Sequence, residues 1–254
     1  MSGRLAVIGL GPGDARYLTE EAQSALAEAD ALYGYGPYLD RVPERPRQAR
    51  HASDNREELS RAAAALDHAA SGARVALVSG GDPGVFAMAA AVCEAIDTGN
   101  VAWRDVDLAI VPGITAMLAV AARVGAPLGH DFCAISLSDN LKPWELIERR
   151  LAAASGAGFV IALYNPVSKA RPTQLRSAFA LLRGRLPPAT PVIFGRAVGR
   201  EGERTAVVDL DRAADEQADM ATLIIVGSAV TRVVLRPDRP PLVYTPRSAV
   251  EVPG

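Results

Sequence analysis

Three glycine-rich turns hold the residues whose types and spacing could bind a small molecule. They lie at residues 9–14 (GLGPGD), 79–84 (SGGDPG) and 112–115 (PGIT), and each follows an apolar run. Glycine has no Cβ, so a ligand can approach the backbone of such turns closely. In the second turn, Asp82 is a good helix N-cap and Pro83 suits the first helical position. We therefore predict a helix N-terminus whose amides suit a ligand with carboxylate or hydroxyl groups, although a purely structural turn has the same composition.

The first turn is superficially similar to a dinucleotide-binding fingerprint, but two of its positions argue against dinucleotide binding. The third glycine of the GxGxxG pattern would fall at Asp14, and Pro12 removes one amide from the loop. A Rossmann pyrophosphate site is therefore not expected.

The composition indicates a globular protein and limits its partners. The 254 residues are 49% hydrophobic and 22% charged, with a net charge of −2, which argues weakly against a nucleic-acid partner. The cysteines, Cys93 and Cys133, have no CxxC spacing and the histidines share no metal-ligand spacing, so no metal site is expected. No secretory signal precedes the first apolar run and no apolar run reaches about 18 residues. We expect a cytoplasmic protein without a membrane partner.

Strand and helix patterns alternate through the first half of the chain. Strands are predicted at residues 5–10, 31–35, 75–78 and 106–111, helices at 19–29, 56–70, 83–96 and 115–124, and a loop at 41–55. The alternation is typical of a parallel α/β domain, which we place at residues 1–113. Ligands of such sheets bind beyond the carboxyl ends of the strands, where all three glycine turns lie.

The second half has a different pattern, with more strands and fewer helices. Strands are predicted at residues 132–137, 159–163, 192–194, 205–208 and 222–226, and helices at 143–154, 173–183 and 211–218. A short charged loop joins the strands within 192–208, which indicates an antiparallel hairpin. We predict a mixed-sheet domain at 114–236 and a loose tail at 237–254 with one edge strand at 242–244.

Four motifs in register connect the chain to a known family. They are GLGPGD at 9–14, GGDPGVF at 80–86, VPGITA at 111–116 and ALYNP at 162–166. Their order and spacing resemble those of the tetrapyrrole C-methyltransferases, the S-adenosylmethionine enzymes of cobalamin and siroheme synthesis. The resemblance covers nearly the whole chain. It implies two α/β domains with the cofactor in the cleft between them, and a homodimer.

The resemblance also implies which residues bind S-adenosyl-L-methionine. Transferred motif by motif, the contacts are Pro12, Gly80, Gly81, Asp82, Val85, Thr115, Ala116, Leu163, Tyr164 and Ala197. Ala197 is placed by register rather than by a strong motif.

Three further stretches resemble one branch of the family, whose members methylate C-17 of precorrin-3B and contract the macrocycle to give precorrin-4. They are residues 33–39 (YGYGPYL), 129–144 (GHDFCAISLSDNLKPW) and 164–171 (YNPVSKAR). The uroporphyrinogen methyltransferases carry Tyr-Asp at the end of the second strand, where this chain has Tyr33-Gly34. The missing acid disfavours the siroheme branch.

The chemistry implied by this branch requires proton transfer and a rim of cations. Ring contraction moves a proton to or from a hydroxyl or lactone oxygen of the tetrapyrrole, and the candidates are His130, Ser138 and Asp139, with Asp131 and Asn140 beside them. Ser138 and Asp139 fit equally well as caps of a strand end, and His130 as the end of a loop. The carboxylate arms of the substrate require cations, for which the candidates are Lys169, Arg171, Arg196 and Arg200. Each of these also fits an ordinary solvated charge.

Other functions remain open at this point. The chain could methylate the cobalt complex, cobalt-factor III, or another position of a related precorrin. It could instead methylate ribosomal RNA or the translation factor that carries diphthine, or it could be a tetrapyrrole carrier without catalytic activity. The modest acidity and the three branch-specific stretches argue against the macromolecular substrates.

Overall fold

The first part of the chain contains a sheet of five parallel strands. A computed structural model describes residues 3–54 and 57–248, which divide into two compact units, Met1–Ala116 and Met117–Gly254. In the first unit the strands are β1 (Arg4–Gly9), β2 (Ala31–Tyr35), β3 (Ala49–Ser53), β4 (Arg74–Ser79) and β5 (Asp107–Val111). Their order is β3-β2-β4-β1-β5, and all neighbours are parallel. The predicted parallel α/β architecture is confirmed.

Helices cover both faces of this sheet. They are α1 (Glu20–Glu28), α2 (Gly36–Leu39), α3 (Glu58–Ala70) and α4 (Met88–Thr98). Leu66 of α3 and Val92 of α4 pack against one face of the sheet, and Leu26 of α1 against the other. Strands that are buried on both faces read as continuous apolar runs, which is why β1 and β4 are recognisable in the sequence. Thr19 caps α1 as predicted, since its hydroxyl accepts the amide of Ala22.

One strand of the first sheet lies where the sequence predicts a loop. β3 has the sequence ARHAS and forms the edge of the sheet, where its side chains are exposed or half-buried. An exposed edge strand needs no apolar alternation, so the periodicity of the sequence does not reveal it.

The second unit contains a mixed sheet, as predicted. Its elements are α5 (Ala116–Val124, whose first residue ends the first unit), β6 (Gly125–Ala126), β7 (Phe132–Ser136), α6 (Trp144–Gly156), β8 (Val160–Tyr164), α7 (Gln174–Arg183), β9 (Pro191–Arg196), β10 (Arg204–Asp209), β11 (Thr222–Val226), β12 (Arg232–Arg236) and β13 (Arg239–Tyr244). The main sheet has the order β10-β9-β11-β8-β7. In this sheet β7 and β8 pair in parallel, β11 pairs antiparallel with β8 and β9, and β9 and β10 form the predicted hairpin.

Two predictions for the second half are wrong. The helix predicted at 211–218 is only a three-residue 3₁₀ turn, Ala213–Asp215, around one buried alanine. The residues predicted as a loose tail with an edge strand include β13, which is the central strand of a small sheet, β12-β13-β6. Val243 of β13 is fully buried in this sheet, which stabilises the segment. Residues 249–254 of the predicted tail lie outside the described residues.

Candidate functional site

The glycine turns of the first unit meet at the carboxyl edge of its sheet. They follow β1, β4 and β5, which are neighbours in the sheet. The backbones of Gly11 and Gly81 exchange two hydrogen bonds, with N···O distances of 3.0 and 2.9 Å. The amide of Leu10 also donates to the carbonyl of Ser79 at 2.8 Å. The first two turns are therefore joined as one layer of backbone.

Glycine is required here mainly because the turns pack against one another. A Cβ on Gly113 would lie 2.3 Å from the carbonyl oxygen of Gly81 and 2.9 Å from the Cα of Gly9. A Cβ on Gly9 would lie 2.7 Å from both the amide nitrogen of Gly113 and the carbonyl oxygen of Gly81. The sequence suggests that these glycines let a ligand approach closely, whereas the contacts show backbone packed on backbone.

Replacement of Gly113 by alanine should therefore destabilise the first unit. Backbone atoms cannot rotate away from the new methyl group, so we expect the free energy of unfolding to fall by about 3 kcal/mol, at the upper end of overpacking effects. Urea denaturation followed by circular dichroism measures this loss. Gly36→Ala is the matched control, because nothing lies within 4 Å of a Cβ at Gly36. A loss as small in Gly113→Ala as in the control would contradict the packing argument.

Asp82 does not cap a helix, contrary to the prediction. Helix α4 begins only at Met88, and Phe86 adopts a φ of +53°, which a right-handed helix cannot contain. One carboxylate oxygen of Asp82 instead accepts the amide of Gly84 at 2.8 Å, and the other accepts the amide of Gly113 at 3.0 Å. Asp82 thus connects the turn after β4 to the turn after β5.

The predicted cofactor contacts of the first unit lie in or beside this layer. Pro12 belongs to the turn after β1, and Gly80 and Gly81 to the turn after β4. Gly80 packs against Tyr38, whose ring would lie 2.8 Å from an added Cβ, and Gly81 has a φ of +67°. The remaining contacts are Val85, which lies in the bend before α4, and Thr115 and Ala116, which lead into α5.

The sequence does not reveal the side chain that holds the first turn. Arg41 follows α2, in the stretch 41–55 that the sequence predicts to be a loop. Its Nη2 donates to the carbonyl oxygens of Leu10 at 2.7 Å, Gly11 at 2.9 Å and Gly13 at 3.2 Å. A lone arginine in a polar stretch carries no periodic signal, so only the structure assigns it a role.

The predicted contacts of the second unit lie at one edge of its main sheet. β9 runs antiparallel to β11, and β11 runs antiparallel to β8, so the carboxyl ends of β7, β8 and β9 share an edge. Leu163 and Tyr164 end β8, and the phenol oxygen of Tyr164 accepts the amide of Met117 at 3.2 Å. Ala197 follows β9 and is buried with a φ of +48°. A left-handed alanine is strained, and such strain is concentrated at functional sites.

The structure brings together two of the three candidate proton-transfer residues. Ser138 and Asp139 follow β7 and lie at the carboxyl edge. His130 precedes β7, so a strand of five residues, roughly 16 Å long, separates it from them. Its Nδ1 accepts the amide of Asp131 at 2.7 Å. His130, Ser138 and Asp139 therefore do not form one cluster.

Asp139 is held by two side chains. Its Oδ2 accepts the side-chain amide of Gln174 at 3.0 Å, and the Nε of Arg171 lies 4.0 Å from its Oδ1. Arg171 is buried and donates to the carbonyls of Leu137 at 3.4 Å and Asn165 at 3.1 Å. Its guanidinium thus connects the ends of β7 and β8, so Arg171 is not the solvated surface charge that the sequence also allows. Its contact with a carboxylate arm of the substrate stays a prediction.

Arg196 also has an internal partner. Its Nε donates to the carboxylate of Asp219 at 2.9 Å. Partial burial opposes ionisation of Asp219, but hydrogen bonds from Thr222, Arg196 and the amide of Ala221 outweigh it. The pKa of Asp219 therefore lies below its ordinary value.

This lowered pKa predicts a pH dependence of stability. A carboxyl group with a depressed pKa in the folded state stabilises the protein above its unfolded pKa, near 4, and this contribution is lost as the pH falls through the folded pKa. The free-energy difference between the wild type and Asp219→Asn should therefore shrink below about pH 4. Both side chains are nearly half exposed, so we expect at most about 1 kcal/mol. Urea titrations at pH 3 and pH 6 measure it, with Asp215→Asn as control. A pH-independent difference would contradict this account.

Residues 3–54 and 57–248 contain neither a candidate metal site nor a candidate membrane-spanning helix. No group of three or more histidine, cysteine, aspartate or glutamate side chains in these ranges could hold a metal ion. No helix in them has the length and apolar character to cross a membrane.

Comparison with known proteins defines the class to which this fold and site belong. The family model of the Tetrapyrrole (Corrin/Porphyrin) Methylases matches residues 4–214. The chain therefore belongs to the tetrapyrrole methylase family, and it is a methyltransferase.

Individual relatives narrow the comparison. The Precorrin-3B C(17)-methyltransferase of Sinorhizobium sp is 66% identical over 247 residues, which cover 97% of each chain. The crystal structure of the methyltransferase CobJ is similar with a TM-score of 0.91 at 49% identity, covering 96% of this chain and 100% of that one. The uroporphyrin-III C-methyl transferase of Thermus thermophilus, crystallised with S-adenyl homocysteine, has a TM-score of 0.67 at 23% identity, covering 90% of this chain and 99% of that one. This last likeness shows a shared fold.

Proposed function

We propose that the chain transfers a methyl group from S-adenosyl-L-methionine to C-17 of precorrin-3B, with contraction of the macrocycle to precorrin-4, in cobalamin biosynthesis. The observation that carries this proposal is the 66% identity to the Sinorhizobium sp enzyme over 97% of both chains. The joined glycine turns of the first unit support ligand binding at the carboxyl ends of its strands. In the second unit, the strained Ala197 and the anchored Asp139 support a functional role for the carboxyl edge of its main sheet.

The residues of the first unit suit the proposed cofactor. S-adenosylmethionine carries a sulfonium and an ammonium group, and Asp82 offers a half-buried carboxylate to a cation. A carboxylate has about four acceptor positions, of which the amides of Gly84 and Gly113 use two. Asp82 can therefore hold the turns and accept a ligand donor at the same time. The contacts at Leu163, Tyr164 and Ala197 remain predictions that rest on the family resemblance.

Methyl transfer requires an oriented acceptor carbon, and the ring contraction that follows requires proton transfer. The bound cofactor would supply an activated methyl group, which needs an aligned acceptor carbon more than acid–base help. For the proton transfer of ring contraction, we propose Asp139, because Gln174 and Arg171 fix its carboxylate at the carboxyl edge of the second sheet. Lys169 and Arg200, both exposed, remain candidates for the binding of the carboxylate arms of the substrate.

We also propose that the protein is a cytoplasmic homodimer. Sedimentation analysis of the purified protein tests the dimer.

Incubation with methyl-labelled S-adenosylmethionine and purified precorrin-3B tests the proposal. The expected product carries one additional labelled methyl group and has the absorbance and mass of a ring-contracted tetrapyrrole. Parallel anaerobic reactions with cobalt-factor III decide whether the cobalt complex is the better substrate. Label in ribosomal RNA or in the diphthine-bearing translation factor, or no label in any tetrapyrrole, would refute the proposed function.

A further inference from the structure

We propose that Arg41 is a positioning residue of the cofactor site, which sets the shape of the turn that contains Pro12. The inference rests on the proposed function, in which this turn contacts the cofactor. The role is carried out through the backbone of the turn rather than by contact with the reacting atoms.

The geometry at Arg41 is a convergence of carbonyl groups on one cation. Three carbonyl oxygens from a single turn, those of Leu10, Gly11 and Gly13, lie within 3.2 Å of its Nη2. Each carries a partial negative charge, so the oxygens would repel one another without a cation between them. The Nη2 of a guanidinium group has two hydrogens, which the three carbonyl oxygens share, and the group as a whole carries a positive charge.

The second turn holds the same stretch of backbone, and the peptide group between Leu10 and Gly11 is held at both ends. The amide of Leu10 donates to the carbonyl of Ser79, and the amide of Gly11 donates to that of Gly81. Arg41 donates to three carbonyl oxygens of the first turn, and the second turn accepts the amides of Leu10 and Gly11 and donates the amide of Gly81 to the carbonyl of Gly11. The chain therefore enters Pro12 in a defined direction. Asp82 acts in the reverse sense, because it accepts the amides of Gly84 and Gly113. One cation and one anion thus orient the backbone of three turns.

The backbone of Arg41 is itself well anchored. Its amide donates to the carbonyl of Tyr38 at 3.2 Å, and the next amide, that of Val42, donates to the carbonyl of Leu39 at 2.8 Å. Both Leu39 and Val42 are buried in the core of the first unit. A side chain with a fixed base can impose a shape on a glycine-rich turn, which has little rigidity of its own.

Arg41→Met tests this role, because methionine keeps much of the length and loses every donor. Calorimetric titration with S-adenosylmethionine should show a dissociation constant raised by about tenfold or more, as expected for the loss of hydrogen bonds from a charged group. The KM for the tetrapyrrole, measured at saturating cofactor, should stay within about twofold. Arg41→Lys has three donors on a shorter reach and should restore part of the affinity. Arg45→Met, an exposed arginine nearby, is the matched control.

The outcomes separate this inference from the proposed function. A wild-type protein that binds no S-adenosylmethionine refutes the proposed function. A wild type that binds it, with a folded Arg41→Met variant of equal affinity, refutes the role of Arg41. An equal rise of the KM values for the cofactor and the tetrapyrrole would also refute it, since it indicates a general structural loss. If Arg41→Met does not fold, Arg41→Lys decides: a weaker cofactor affinity at unchanged tetrapyrrole KM supports the role, and an unchanged affinity overturns it.

Discussion

Replacement of Asp82 by alanine should weaken the binding of S-adenosylmethionine by about ten- to a hundredfold and also destabilise the fold. The lost carboxylate is the group proposed to face the cationic cofactor, and a hydrogen bond to a charged group contributes about 1.5–3 kcal/mol. The sequence alone suggests that this substitution leaves the fold largely intact. The structure adds a cost, because the amides of Gly84 and Gly113 both lose their acceptor.

The expected loss of stability in Asp82→Ala is small enough for the variant to remain folded. Two lost bonds to a half-exposed carboxylate should lower the free energy of unfolding by about 3 kcal/mol, against a usual total of about 5–15 kcal/mol. Calorimetric titration at a temperature well below the unfolding transition then measures the affinity of folded protein. Asp82→Asn is the matched control, because it keeps one acceptor oxygen and loses the charge. Unchanged cofactor affinity in Asp82→Ala would refute the assignment of Asp82 to the cofactor.

The architecture could be predicted from the sequence because buried elements leave a periodic signal. β1 and β4 are continuous apolar runs, and the hairpin of β9 and β10 is marked by its charged loop. Two of the elements that the sequence does not reveal, β3 and β12, have mostly exposed side chains. Hydrophobic patterning reports burial, so it says little about strands at the surface.

The site was predictable in its location and less so in its internal contacts. The glycine turns could be placed at the carboxyl ends of strands from their motifs alone. Their mutual packing could not, because it depends on which turns are neighbours, and neighbours follow from the strand order β4-β1-β5. The same limit applies to Arg41, whose acceptors lie about thirty residues earlier in the chain. Long-range polar contacts of single side chains have no local sequence signature.

The start of α4 illustrates a local rule that the backbone overrides. Asp82 and Pro83 form a good helix-initiation pair by residue type, and the helix nevertheless begins five residues after Pro83. The left-handed conformation of Phe86 prevents the helix from beginning before that residue. The carboxylate of Asp82 therefore accepts hydrogen bonds from two turn amides instead of capping a helix. A capping residue and a loop-bridging residue look identical in sequence, since both are short acceptors before a run of apolar residues.

The identity of the proton-transfer residue can be tested because the second unit provides a matched pair of acids. Asp131 and Asp139 lie at opposite ends of β7, and only Asp139 lies at the edge that also carries Tyr164 and Ala197. Asp139 is held by Gln174 and lies close to the buried guanidinium of Arg171, so its carboxylate has a fixed position at this edge. Asp131 is exposed.

Asp139→Asn should therefore slow ring contraction by about 10²- to 10⁴-fold, the usual contribution of a positioned acid or base. Methyl transfer depends mainly on alignment, so the release of S-adenosylhomocysteine in the first turnover should stay within a few-fold of the wild type. Single-turnover reactions with precorrin-3B that follow both products separate the two steps. Asp131→Asn should leave both rates unchanged, and His130→Gln should behave like it because His130 lies at the same end of the strand. Equal loss of methyl transfer and ring contraction in Asp139→Asn would show that the substitution disturbs the site as a whole, and full ring contraction would remove Asp139 from the mechanism.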